Sequence, residues 1–178
     1  MDFKRLICAF AAAVLVVNLY GCGPGKRPFL LATVCLRNAN DLADFAHLMR
    51  SIAQREGGEF IDGSAETQRE LEAIGKSLES SGLRFDRPHI SRAFNIGVRL
   101  GDGVGLMAGD MGTRGYQVVV GIGEGSNPQK AHEFARNVLA EIKERWRVEL
   151  VPDPEHSGAF PMDDCVPDDT HPTIRSKW

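Results

Sequence analysis

Aromatic residues are scarce: two tryptophans, two tyrosines and nine phenylalanines make up 7% of the 178 residues. Neither sign of charge dominates, with 21 lysines and arginines against 24 aspartates and glutamates. A nucleic-acid-binding chain needs a basic surface, interleaved with aromatic side chains where single strands stack, and this chain has neither. Nucleic acid is therefore not an expected partner. No apolar run reaches the roughly 20 residues of a membrane-spanning helix; the longest, Leu6 to Val17, stops at Asn18. HExxH, GxSxG and CxxC are all missing, and His47, His89, His132, His156 and His171 are dispersed. Zinc-protease, serine-hydrolase and dithiol chemistry thus lack their usual residues, and no metal or cofactor is expected.

What the chain does have begins near its start. Lys4 and Arg5 precede the apolar run Leu6 to Val17, which has the length of a signal-peptide core. Leu19-Tyr20-Gly21-Cys22 follows, and these four residues resemble the lipobox of bacterial lipoproteins. The resemblance covers only the first 22 residues. It implies that residues 1–21 are removed and that Cys22 becomes the acylated first residue, held to a membrane by two or three chains. Gly23, where an aspartate would favour retention at the inner membrane, implies an outer-membrane lipoprotein facing the periplasm. The inner membrane and the cell surface remain open, as do an uncleaved anchor and a secreted protein with an incidental cysteine. Residues 22–28 read as a tether: Gly23-Pro24-Gly25-Lys26-Arg27-Pro28 has no apolar side chain to bury, and six residues reach at most about 20 Å. Lys26 and Arg27 would lie near anionic headgroups.

On that reading Cys8 leaves with the signal and Cys22 is acylated, so Cys35 and Cys165 remain in a compartment that permits disulfides. One disulfide between them is expected, pinning the tail to the first strand. The alternative is a buried Cys35 and an idle Cys165.

Residues 29–152 read as a single α+β domain around one core, at 43% hydrophobic residues overall. Phe29 to Leu36 is apolar on both alternating sets, as a strand covered on both sides would be. Leu42, Phe45, Ala46, Met49, Ile52 and Ala53 recur at helical spacing, with Asn40 or Asp41 as cap and Gly57-Gly58 as stop. After the short apolar pair Phe60-Ile61 comes a second helix over about residues 65–81, capped by Ser64 and ended by Gly82. Its stripe of Leu71, Ile74 and Leu78 is thin, which predicts a surface helix. Phe94, Ile96, Val98 and Leu100 alternate with polar and small residues, and Gly101-Asp102-Gly103 supplies a hairpin turn into Val104, Leu106 and Ala108. Tyr116, Val118, Val120 and Ile122 make a further strand. Asn127-Pro128 then opens a helix with Ala131, Phe134, Ala135, Val138, Leu139, Ile142 and Trp146 on one face, and Arg147 to Val151 closes as a strand. The order resembles the ferredoxin-like sandwich, a mostly antiparallel sheet with helices on one face, plus an inserted helix.

Three features invite a chemical reading. Gly121, Gly123 and Gly125 lie between a strand and a helix, where dinucleotide-binding proteins cradle phosphate; the spacing is GxGxG, with no βαβ unit to organise it, so a glycine-rich strand end is favoured. The tail, residues 153–178, is rich in proline and aspartate without regular ligand spacing and reads as solvated chain. Asp62, Ser64 and Asp110 would carry a ligand-binding or hydrolytic cleft, yet nothing in the sequence brings a base to them.

The sheet itself gives the favoured reading. With Phe94, Ile96, Val98, Val104, Leu106, Val118 and Val120 turned to the helices, the other face presents Asn95, Gly97, Arg99, Gly105, Met107, Gly109, Gln117, Val119 and Gly121. Such a face is expected to be flat and nearly bare, open to a second subunit, a protein partner or a ligand, unless the tail held by Cys165 lies across it. The expected function is a membrane-anchored envelope lipoprotein acting as a protein-binding module, not an enzyme. Toxin neutralisation, envelope assembly and attachment to a secretion machine all suit it equally.

Overall fold

A computed structural model describes residues 28–83, 93–110, 117–152 and Cys165. The expected signal sequence, Cys22 and the rest of residues 1–27 lie outside the described residues, as does the tail except for Cys165. His89, His156 and His171 fall outside as well.

The elements in chain order are β1 (Leu30–Cys35), α1 (Ala39–Arg55), β2 (Glu59–Asp62), α2 (Ser64–Ser80), β3 (Asn95–Arg99), β4 (Gly105–Asp110), β5 (Gln117–Gly123), α3 (Pro128–Lys143) and β6 (Arg147–Leu150). One six-stranded sheet takes the order β2-β3-β4-β5-β1-β6, with every neighbouring pair antiparallel. Within it β1, α1, β4, β5, α3 and β6 form a ferredoxin-like α+β sandwich, its strands side by side as β6-β1-β5-β4. The insertion is larger than the single helix read from the sequence. It comprises β2, α2 and β3, and its two strands carry the sheet on past β4. Phe60-Ile61 turns out to be the centre of an edge strand, paired with Val98 and Gly97.

The core lies between one face of the sheet and helices α1 and α3. Val34, Ile96, Val98, Leu106, Ala108, Val118, Val120 and Ile122 meet Phe45, Met49, Ile52 and Ala53 of α1 and Ala131, Phe134, Ala135, Val138 and Ile142 of α3. Phe45 sits at the centre, its ring 5.5 Å from Trp146 and 6.1 Å from Phe94 in tilted and edge-on contacts. Losing a ring so enclosed costs about 3–5 kcal/mol.

Helix α1 forms because its apolar residues recur every three or four positions and its ends are satisfied. The cap is Asn38, whose side chain accepts from the backbone of Asn40 and Asp41, rather than either of those residues. Gly57, at φ +65°, supplies the left-handed turn that ends the helix. Helix α3 begins as its sequence predicts, with Asn127 accepting from Lys130 N at 3.1 Å and Pro128 in the first turn. Helix α2 differs. Only Gly75 on it is buried, and its cap residue is Gly63, without a side-chain cap bond. The Ser64 hydroxyl instead donates to the Asn95 carbonyl and accepts from its N–H, at 3.2 and 3.0 Å. Together with Gln68 accepting from Ala93 N, that exchange ties α2 to the start of β3.

Candidate functional site: the second face of the sheet

Because side chains alternate across a strand, the register fixes which residues share the face turned away from α1 and α3. One cross-strand row reads Glu59, Arg99, Gly105, Gly123 and the next Ile61, Gly97, Met107, Gly121, Leu31. Asn95, Gly109, Val119, Thr33 and Glu149 make a third row, and Gln117, Cys35 and Arg147 a fourth. All nine residues assigned to this face from the sequence lie in these rows. Glu59 and Ile61 join them from β2, Leu31, Thr33 and Cys35 from β1, Gly123 from β5, and Arg147 and Glu149 from β6. The alternation inside Phe29 to Leu36 was the available sign for the β1 contribution.

The face is not bare, which corrects the expectation, because the protein's own chain fills its small-residue hollows. Met107 lies over Gly97: a Cβ there would come within 2.5 Å of its Sδ and 3.1 Å of the Leu106 carbonyl. Gly121 is overlain by Leu31 and by Pro28, whose Cβ and Cγ stand 3.5 and 3.7 Å from a Cβ built at that position. At the far end Cys165 sits against Cys35 at disulfide distance, their Cα atoms 5.7 Å apart. Both cysteines are buried, as are Thr33 (2% exposed) and Gln117 (1%). Buried polar groups of this kind need partners, and both side chains belong to residues with polar interactions.

A narrower strip stays open to solvent. Arg99 is exposed and pairs with Glu59 at 3.6 Å. Met107, Gly109 and Val119 are half-buried. Asn95 is half-buried but engaged, its Nδ2 donating to Thr67 Oγ1 at 2.9 Å. Gly109 has ordinary space above it, the nearest atom being the Phe94 carbonyl oxygen at 3.7 Å from an added Cβ.

Two of the residues proposed for a cleft, Asp62 and Ser64, are held in structural roles. Asp62 Oδ1 accepts from Ser64 N at 3.1 Å, and Ser64 Oγ is committed to the Asn95 backbone. Asp110 ends β4 opposite Val118, two strands from Asp62, a lateral offset of about 9.5 Å.

The glycine-rich turn after β5 receives another turn of the same chain. Gly125, at φ +61°, faces the β3–β4 hairpin so closely that an added Cβ would overlap Val104 N and stand 2.5 Å from the Gly103 carbonyl carbon. Ser126 donates from both its N–H and its hydroxyl to the Asp102 carbonyl, at 3.0 Å each. Asp102 Oδ1 accepts from Val104 N, and Oδ2 meets Lys130 Nζ at 3.0 Å. The Lys130 hydrogen bond holds the Asp102 carboxyl below the usual carboxylate range, outweighing desolvation in the opposite direction. The space where a phosphate would be cradled is thus taken by the Asp102 turn.

His132 stands beside Phe29, ring centroids 4.6 Å apart, and its Nε2 lies 4.0 Å from Glu124. Among the described residues no three histidine, cysteine, aspartate or glutamate side chains come together as a metal site, and no helix is long and apolar enough to cross a membrane. No family model matches this sequence, and neither a curated protein nor a solved structure is significantly similar to it.

Proposed function

We propose that the protein is a lipid-anchored component of a bacterial envelope, whose folded part binds a protein partner over the strip of Arg99, Met107, Gly109 and Val119. The observation that carries this reading is the pairing of Cys35 with Cys165. A structural disulfide belongs to an oxidising compartment, the destination implied by the lipobox-like Leu19-Tyr20-Gly21-Cys22. Two further facts support it. Pro28, only six residues after Cys22 in the sequence, packs against Gly121. The open strip is uncharged except at Arg99, and its small and half-buried side chains let another backbone approach closely.

Two variants test the two halves of the proposal. Cys22→Ser should leave an unprocessed chain in the cell that keeps the residues before Cys22 and carries no acyl mass, as intact mass would show. Gly109→Trp fills the open strip with no backbone obstacle and should abolish partner binding while leaving circular dichroism and melting temperature near wild type. A wild-type protein that keeps Met1 and carries no acyl mass overturns the anchor. A folded Gly109→Trp protein that retains every partner of the wild type moves the binding site elsewhere.

A further inference from the structure

The outer edge of β6 is unpaired among the described residues, since β6 is the last strand of the sheet and β1 is its single neighbour. The register fixes which backbone groups it offers. Val151 N donates to the Leu31 carbonyl, and in an antiparallel ladder the residues bonded to a given neighbour alternate. Arg147, Glu149 and Val151 therefore direct their N–H and C=O groups to β1, whereas Val148 and Leu150 direct theirs outward. Edges of this kind attract further strands unless something blocks them, most often charged side chains, proline or a bulge. Within β6 there is no proline or bulge, and its two charges, Arg147 and Glu149, are of opposite sign. Its sequence is Arg-Val-Glu-Leu, and its outermost apolar side chain, Leu150, is 52% exposed.

We infer that β6 pairs antiparallel with β6 of a second copy of this chain about a two-fold axis through Val148, joining two sheets into one. The register follows from the residues. With Val148 on the axis, each Val148 N–H donates to the Val148 carbonyl of the other copy. That reciprocal pair uses the very groups β1 leaves free. Arg147 of each copy then stands opposite Glu149 of the other, so both flanking positions become opposite-charge cross-strand pairs. In the single chain Arg147 Nη2 already donates to Glu149 Oε1 at 2.5 Å; in the dimer the two such bonds, one per copy, give way to two symmetric pairs between the copies. The other edge of the sheet lacks this self-complementarity. On β2 the outward residues are Phe60 and Asp62, and an axis through Phe60 sets Glu59 against Ile61, with Glu59 already paired to Arg99. The inference concerns an edge, not the second face, and stands or falls independently of the partner proposed there.

The test is the mass of the chain without its lipid, begun at Gly23, by light scattering across a concentration series. The wild type should move from monomer to dimer. Glu149→Arg sets arginine against arginine at both flanking positions and should raise the dimer dissociation constant by about tenfold or more, whereas the double variant Arg147→Glu with Glu149→Arg restores opposite pairs and should recover it. Val148→Pro removes an N–H that β1 does not use and that has no acceptor among the described residues, and it should leave a folded monomer. A wild type that stays monomeric throughout overturns the inference. So does a dimer that survives Glu149→Arg and Val148→Pro while circular dichroism shows both folded.

Discussion

Arg55, in the last turn of α1, makes a two-point bridge to Glu141 of α3, Nη1 to Oε2 at 3.2 Å and Nη2 to Oε1 at 2.5 Å. It links the two helices that close the core, across 86 residues of sequence. Both side chains keep contact with water, and exposed bridges contribute about 1 kcal/mol or less, bidentate arginine–carboxylate pairs being the favourable case. A double-mutant cycle with Arg55→Ala and Glu141→Ala should give a coupling of about 0.5–1 kcal/mol in urea unfolding, shrinking in high salt. A coupling that does not change with salt would mean the pair is not a solvent-screened bridge.

The Cys35–Cys165 bond closes a loop of 130 residues. In the chain-entropy description a loop of that length stabilises by about 5 kcal/mol, with native strain subtracting from it. Thiol labelling without reductant should find neither cysteine, and a Cys35→Ala, Cys165→Ala protein should melt well below the oxidised wild type. Equal melting of the two would show that the tail contributes nothing to the folded state.

Gly125 and Gly82 share a positive φ, +61° and +76°, but among the described residues only Gly125 of the two faces backbone. Gly82→Ala should cost about 1 kcal/mol, the strain of the left-handed region alone. Gly125→Ala must also push the Gly101-Asp102-Gly103 turn away and should cost about 2–4 kcal/mol. Equal costs by chemical denaturation would mean that the two turns are not in the contact described.

Asp102 carries the pH dependence of that contact. Its folded carboxyl titrates below its ordinary value of 3.8, chiefly through the Lys130 hydrogen bond. The sign follows from linkage: the stabilisation is complete above the unfolded value and is lost as pH falls through the lower folded value. Wild type should therefore melt higher than Asp102→Asn near neutral pH, and the gap should close in acid. A gap that persists once Asp102 is protonated would point to the loss of hydrogen-bond geometry rather than charge.

Local signals carried most of this fold. Asn127-Pro128, the hairpin glycines and the two helical stripes announce themselves within a few residues, and the doubly apolar Phe29 to Leu36 proved to be an interior strand. β2 was hidden because four residues set no period, and its partner β3 lies beyond an entire helix. Ser64 was misread as a cap because its hydroxyl serves the Asn95 backbone, 31 residues away. The second face was legible as a set of residues, since alternation needs no partner, but not as a surface. Met107 lying over Gly97 and Pro28 over Gly121 are packing facts that no spacing contains.

The position of β1 sets the order in which the chain can close. Leu30–Cys35 is the first strand made, yet its neighbours are Gln117–Gly123 on one side and Arg147–Leu150 on the other. A nascent chain ending before residue 117 can fold hairpin and helix segments from its own middle, but it has nothing to lay against either edge of that apolar strand. Contacts of such long sequence separation slow the final collapse, and here they also postpone it until the C-terminal third has left the ribosome. Up to that moment β1 has neither of its partner strands.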